Sequence, residues 1–364
     1  MDFAPSKRQR ELQRKAGEAA GQLHPLPDVQ TRDFWTQAAD QGWLSCVDET
    51  GEGDALTAVL IHEALGRAGV SRSALFAMGA HLFGVAMTLR AFGKAPADAY
   101  LADLTAGKAV GALALTEPNG MSDAANLGTL AKKTDDGWLL TGRKTFVSNG
   151  SFADVLLVNA RHPEARTSAF STSLFAVPSK TPGLRTSVID GPIGLKGSPM
   201  ADVMLDDVRV GPEALVGRRG QGVVATLTAM RAERSCILAG FVGAAERDLQ
   251  AVLRHLSGTA REHQALGLAL AEASAKLEIA RWTLYRGAWS VDHGTDGIRT
   301  PALTKLVVAR TLAELAQTLQ ELAAGAGWRD QMGLATAVAD TMGILTASGT
   351  AMVQLRAIAT SLDR

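Results

Sequence analysis

Proline placement constrains this chain more than any other feature. Seven of its twelve prolines fall between Pro118 and Pro212, and after Pro212 only Pro301 follows. A proline inside a helix removes a hydrogen bond and clashes with the preceding turn. The last roughly 150 residues are therefore free to run as long helices, whereas the middle is not. Before the break, Glu11–Leu23, Arg32–Gln41, Ala55–Ala68 and Arg72–Phe92 read as helices. Within it, Thr129–Thr134 and Trp138–Thr141 flank Asp136-Gly137, a hairpin signal, and Asp154–Ala160, Ser173–Val177 and Val203–Val210 have strand-like apolar content. After it, Val223, Leu227, Met230, Ile237 and Phe241 are spaced as the apolar stripe of a helix. The expected fold class is α+β, with an N-terminal helical domain (1–110), a middle β-domain (111–215) and a C-terminal helical bundle (216–364).

Composition excludes several classes. Lys and Arg balance Asp and Glu at 37 each, which gives no bulk electrostatic case for nucleic acid or an anionic membrane. Cys46 and Cys236 lie far apart, outside any Cys/His cluster, so neither a metal site nor a disulfide framework is expected. The N-terminus MDFAPSKRQRELQRK lacks the apolar core of a secretory signal, and no stretch reads as a membrane span. A cytoplasmic setting with reduced thiols is the expectation.

Two strings carry the chemistry. Ala112–Asp123 reads ALALTEPNGMSD and Gly142–Gly150 reads GRKTFVSNG. Taken alone, the first is a strand running into a turn at Pro118, Asn119 and Gly120, and the second is a β-run closed by Asn149-Gly150. Together and in this order, with further matches along nearly the whole chain, they resemble the flavin-cradling motifs of acyl-CoA dehydrogenases. The helical, β, helical order is also that family's. The resemblance implies bound FAD, with Leu115, Thr116 and Ser122 at the isoalloxazine edge and Phe146 and Ser148 flanking the ring system.

The family's C-terminal signature is a Gly-x-Gly-aromatic turn followed at fixed distance by Glu-Gly-Thr, whose glutamate removes the substrate α-proton. Gly325-Ala326-Gly327-Trp328 resembles the turn, and twenty residues later stands Ser348-Gly349-Thr350. A serine hydroxyl is too weak a base for an α-proton. Another carboxylate must act, with Ser348 contributing its backbone at the usual base position and Ser348→Ala expected to matter little. Glu233, in AERSCILAG, resembles the alternative base of the isovaleryl-CoA and long-chain acyl-CoA dehydrogenases. Its neighbours at helical spacing are Ala229, Met230, Cys236 and Ile237, so no cation at i±3 or i±4 pairs with it, and an apolar face would raise its proton affinity. The plain alternative is a helix-edge glutamate that snorkels to solvent.

Other matches concern the FAD of a neighbouring subunit and the substrate. Arg254 and, after His263, Gln264 resemble residues that reach across a subunit interface, with Ser257 where the family has phenylalanine; Ala339 and Met352 are further departures. Thr350 is implied as a further FAD contact and Arg234 as a substrate contact. The plain reading of Arg254 and Gln264 is exposed helix polarity. Arg72, nine residues after Glu63 in EALGRAGVSRSAL, resembles the arginine of glutaryl-CoA dehydrogenase that binds a substrate carboxylate, although Ser71-Arg72-Ser73 also looks like an ordinary helix start.

The resemblance thus implies an FAD-dependent acyl-thioester dehydrogenase. Glu233 takes the α-proton and the β-hydride passes to flavin, which an electron-transfer flavoprotein or similar acceptor reoxidises. A homodimer or homotetramer is implied, with an acyl carrier protein or coenzyme A bearing the acyl group. Arg72 suggests a short carboxylate-bearing chain such as the hydroxymalonyl units of polyketide extender pathways. The alternatives are an ordinary short- or branched-chain acyl-CoA dehydrogenase, a flavin monooxygenase, and a scaffold that has lost FAD.

Overall fold

The computed structural model describes residues 4–23, 25–45, 54–92, 94–118, 127–164, 170–256, 258, 263–295 and 297–362. Cys46, Asn119, Gly120, Ser122 and Ser257 lie outside them. The first helices are α1 (Lys7–Gln22), α2 (Arg32–Asp40), α3 (Ala55–Ala68), α4 (Arg72–Gly79), α5 (Met87–Phe92) and α6 (Lys94–Thr105). A π-helical segment, Ala80–Ala86, joins α4 to α5. Strands β1 (Gly111–Ala114), β2 (Leu130–Thr134), β3 (Gly137–Ser148), β4 (Val155–Arg161), β5 (Thr172–Pro178), β6 (Leu184–Val188), β7 (Met200–Val210) and β8 (Leu215–Val216) follow. The chain closes with α7 (Gly222–Cys236), α8 (Ala239–His255), α9 (Gln264–Asp292), α10 (Arg299–Leu322), α11 (Ala324–Trp328), α12 (Leu334–Thr346) and α13 (Ala351–Ala359).

The eight strands form one sheet in the order β6-β7-β3-β2-β4-β5-β8, with β1 parallel to β4. Both sheet faces are covered. Val155, Leu157, Leu174 and Ala176 pack with Val85 and Leu89, whereas Leu156, Val158, Phe175 and Val177 pack with Trp138 and Val203. A strand buried on both faces reads as a continuous apolar run, as β4 and β5 do. The edge strand β6, LRTSV, is mostly solvated and shows no apolar alternation, so sequence periodicity gave it no signal.

Helices from both ends of the chain share one core in which Leu60, Phe76 and Phe83 meet Ile237, Phe241 and Leu312. The packing of α3 on α8 brings backbone to backbone: a Cβ at Gly243 would stand 1.8 Å from the Glu63 carbonyl oxygen. One expectation fails here. The stretch Arg72–Phe92 is long and apolar enough to cross a membrane, but 78% of its apolar window is buried inside the protein, as in a core helix. Apolarity on every face records burial without saying in which medium.

Candidate active site

Glu233 stands in the last turn of α7, half-buried, and Ser348 follows the end of α12. The Ser348 hydroxyl donates to Glu233 Oε1. Ser348 has φ 55°, a left-handed conformation that few residues other than glycine adopt. Its carbonyl oxygen is held from two sides, by Arg234 Nε at 3.0 Å and Gln354 Nε2 at 3.0 Å. Lys305, 2% exposed, donates from Nζ to the Ile344 carbonyl at 2.7 Å and so anchors α12 just before this turn. On the other side of Glu233, a Cβ at Gly84 would lie 3.1 Å from Oε2 and 3.5 Å from Leu113 Cδ2. Gly84 belongs to the π-helical segment, a feature that recurs at functional sites.

Burial raises Glu233 above the ordinary carboxylate range, while the Ser348 hydroxyl and the charges of Arg234 and Lys305 work against that rise. Burial also lowers Lys305 to about 8; Arg234 adds to that effect and Glu233 opposes it. The absence of a cation at i±3 or i±4 holds for the helix itself. The charges near Glu233 come instead from its neighbour Arg234 and from α10.

Leu113 places β1, and the segment after it, beside the carboxylate. Leu115 is half-buried and Thr116 exposed, and the Thr116 carbonyl accepts the Thr145 N–H at 2.9 Å, which ties the segment to β3. The β3–β7 pairing is irregular between Lys144 and Val147. Phe146 sits in that irregularity with φ 53° and 59% of its surface exposed. Such a conformation costs on the order of 1–3 kcal/mol and clusters at ligand sites. An exposed aromatic face, with Thr116 and the half-buried Ser148 on the same two tied segments, fits a planar isoalloxazine ring system. Glu117 has a different task. It accepts the Gly128 and Thr129 N–H groups at 2.6 and 2.9 Å and pairs with Lys144 Nζ at 2.8 Å. Burial pushes Glu117 up, but Lys144 and Thr129 bring it below the usual carboxylate range.

The other candidates separate. Arg254 and Gln264 are exposed on C-terminal helices, Thr350 is exposed just before α13, and Ser122 lies outside the described residues. Arg72 stands apart from this group. Ser71 does cap α4, but Arg72 is buried and pairs with Asp248 of α8 at 2.5 Å. At about 1.5 Å per residue it lies roughly 18 Å along the helix from Gly84. A malonyl carboxylate would be attached directly to the α-carbon that Glu233 would deprotonate. The Ser348 hydroxyl, bonded to Glu233, gives Ser348 a side-chain contact that the sequence reading did not include. Sequence reasoning missed Gly84, Gln354 and Lys305. For Lys305 there was a signal: Ala302, Val308 and Ala309 surround it at helical spacing, and a lysine on such a face needs a buried acceptor.

Residues 112–208 match the acyl-CoA dehydrogenase middle domain, and residues 220–362 match the acyl-CoA dehydrogenase C-terminal domain. The chain is 32% identical over 322 residues, 86% of its length and 84% of the relative's, to an L-prolyl-peptidyl-carrier-protein dehydrogenase of Pseudomonas fluorescens. Among solved structures it is similar to an FAD-dependent dehydrogenase, with TM-score 0.92 and 30% identity over 100% of both chains. It is also similar to PigA solved with FAD and proline, with TM-score 0.92 and 26% identity over 100% of this chain and 99% of that one.

Proposed function

Because this chain belongs to the acyl-CoA dehydrogenase family, we propose that it is an FAD-dependent dehydrogenase of a prolyl thioester held on a carrier protein. The observation that carries the chemistry is Glu233, a half-buried carboxylate of raised proton affinity beside the β1 segment that leads to Thr116. A carboxylate so tuned suits removal of the α-proton of a thioester near neutral pH. Backbone N–H groups near Ser348 would stabilise the enolate charge that develops as the proton leaves. Leu115, Thr116, Phe146 and Ser148 would hold the flavin ring system. Arg254, Gln264 and Thr350, exposed in the C-terminal region, would reach the FAD of a second copy in a homodimer or homotetramer. FAD, when bound, supplies the two-electron acceptor for the hydride that leaves with the α-proton. An electron-transfer flavoprotein or similar protein would then take those electrons.

The prolyl group is favoured by the 32% identity to the prolyl-carrier-protein dehydrogenase and by the pairing of Arg72 with Asp248. An arginine held by Asp248 is less suited to pair with a substrate carboxylate. Anaerobic mixing of the yellow holoenzyme with prolyl-loaded carrier protein, hydroxymalonyl-loaded carrier protein and butyryl-CoA tests the assignment. Flavin bleaching with loss of two hydrogens from the prolyl group is the expected result. Bleaching by butyryl-CoA alone returns the protein to ordinary acyl-CoA oxidation. Oxygen uptake with a hydroxylated product selects a monooxygenase, and a colourless protein that refuses FAD ends the dehydrogenase reading.

A further inference from the structure

We infer that Ser348 is a positioning residue: its hydroxyl holds Oε1 of Glu233, so that Oε2, the oxygen facing Gly84, receives the substrate proton. Three observations carry this. The hydroxyl donates to Oε1 and therefore distinguishes the two carboxylate oxygens. The carbonyl of the same residue is fixed by Arg234 and Gln354, so the hydroxyl is launched from a backbone that cannot swing away. The third is the close approach of Oε2 to the backbone at Gly84. Position 84 carries no side chain, and a single added carbon would approach Oε2 to 3.1 Å. A contact this close would force the carboxylate aside.

The chemistry balances without moving the serine proton. As the substrate C–H bond breaks, its proton goes to Oε2 and its electron pair stays with the thioester. Oε1 accepts the Ser348 hydrogen bond before transfer as a carboxylate oxygen and after it as the carbonyl oxygen of the acid. The bond is stronger in the charged state, so the hydroxyl also limits how far burial raises Glu233. Serine at the family's usual base position therefore supports the relocated base. This inference rests on the reading of Glu233 as that base.

Ser348→Gly isolates the hydroxyl, because glycine adopts φ 55° without penalty and keeps the carbonyl that Arg234 and Gln354 hold. Infrared difference spectra against pH, with Glu233→Gln identifying the Glu233 carboxyl band, read the protonation of the base with no substrate present. In Ser348→Gly holoenzyme that band should titrate about one pH unit higher than in wild type, the size expected for losing a hydrogen bond to a charged group. The acid limb of flavin bleaching by prolyl-loaded carrier protein should move up by the same amount. A band that titrates at the wild-type pH overturns the positioning role whatever turnover does. If the band moves but neither protein is bleached by the thioester, the positioning role stands and the proposed activity falls.

Discussion

Arg72 and Asp248 form an ion pair of 2.5 Å in which the two side chains are 7% and 6% exposed. It joins α4 to α8, and Asp248 is also bonded by Arg247 at 3.2 Å. Removing one member of a buried pair leaves an uncompensated charge and costs about 3–5 kcal/mol. Arg72→Ala should therefore lower stability by about that amount, and Arg72→Lys less. Denaturant unfolding checks the first effect. For either variant that still folds, turnover of a carboxylate-bearing and a neutral acyl thioester should fall equally. A loss confined to the carboxylate-bearing substrate would assign Arg72 to substrate binding.

Glu233→Gln should keep fold and flavin but slow substrate-driven flavin bleaching by about two orders of magnitude or more, as expected for deleting a general base. Gly84→Ala leaves the base in place and crowds it. A displacement of a few tenths of an ångström should cost about tenfold in the same rapid-mixing assay, short of the hundredfold typical of a 1 Å misplacement. Wild-type rates in Gly84→Ala would show that the close approach of Oε2 to Gly84 does not matter.

Lys305 gives stability a defined pH dependence. Burial lowers its folded value from 10.5 to about 8, so between these limits the unfolded chain binds more protons than the folded one. Stability from this group should rise as pH increases from about 8 toward 10.5. Comparing urea unfolding of wild type and Lys305→Met across that window isolates the effect. The difference between the two should change with pH in favour of wild type, and a constant difference contradicts it.

Leu268, Ile279 and Trp282 lie on one face of α9 and are 64%, 52% and 59% exposed. Ile279 and Trp282, three residues apart, form an exposed apolar pair that fits an association surface. The protein should sediment as a dimer or tetramer, and Ile279→Glu with Trp282→Glu should yield monomers that lose FAD. A fully active wild-type monomer would remove both the interface and the role proposed for Arg254 and Gln264.

The sequence by itself determined the architecture and the identity of the base candidate. Proline density separated helix from sheet, Asp136-Gly137 fixed a hairpin, and counting from Trp328 exposed a serine where a glutamate is usual. These are local signals, because backbone preference and spacing along one strand or helix act over a few residues. The tertiary structure decided which charge meets which partner. Arg72 lies 176 residues from Asp248, Glu233 lies 115 from Ser348, and Lys305 lies 39 from the carbonyl it holds. Periodicity places a side chain on a buried face, but what satisfies it there depends on the neighbouring helix. For that reason Glu233 stood out by its resemblance and its apolar helix neighbours, whereas the partner of Arg72 could not be named until Asp248 was seen beside it.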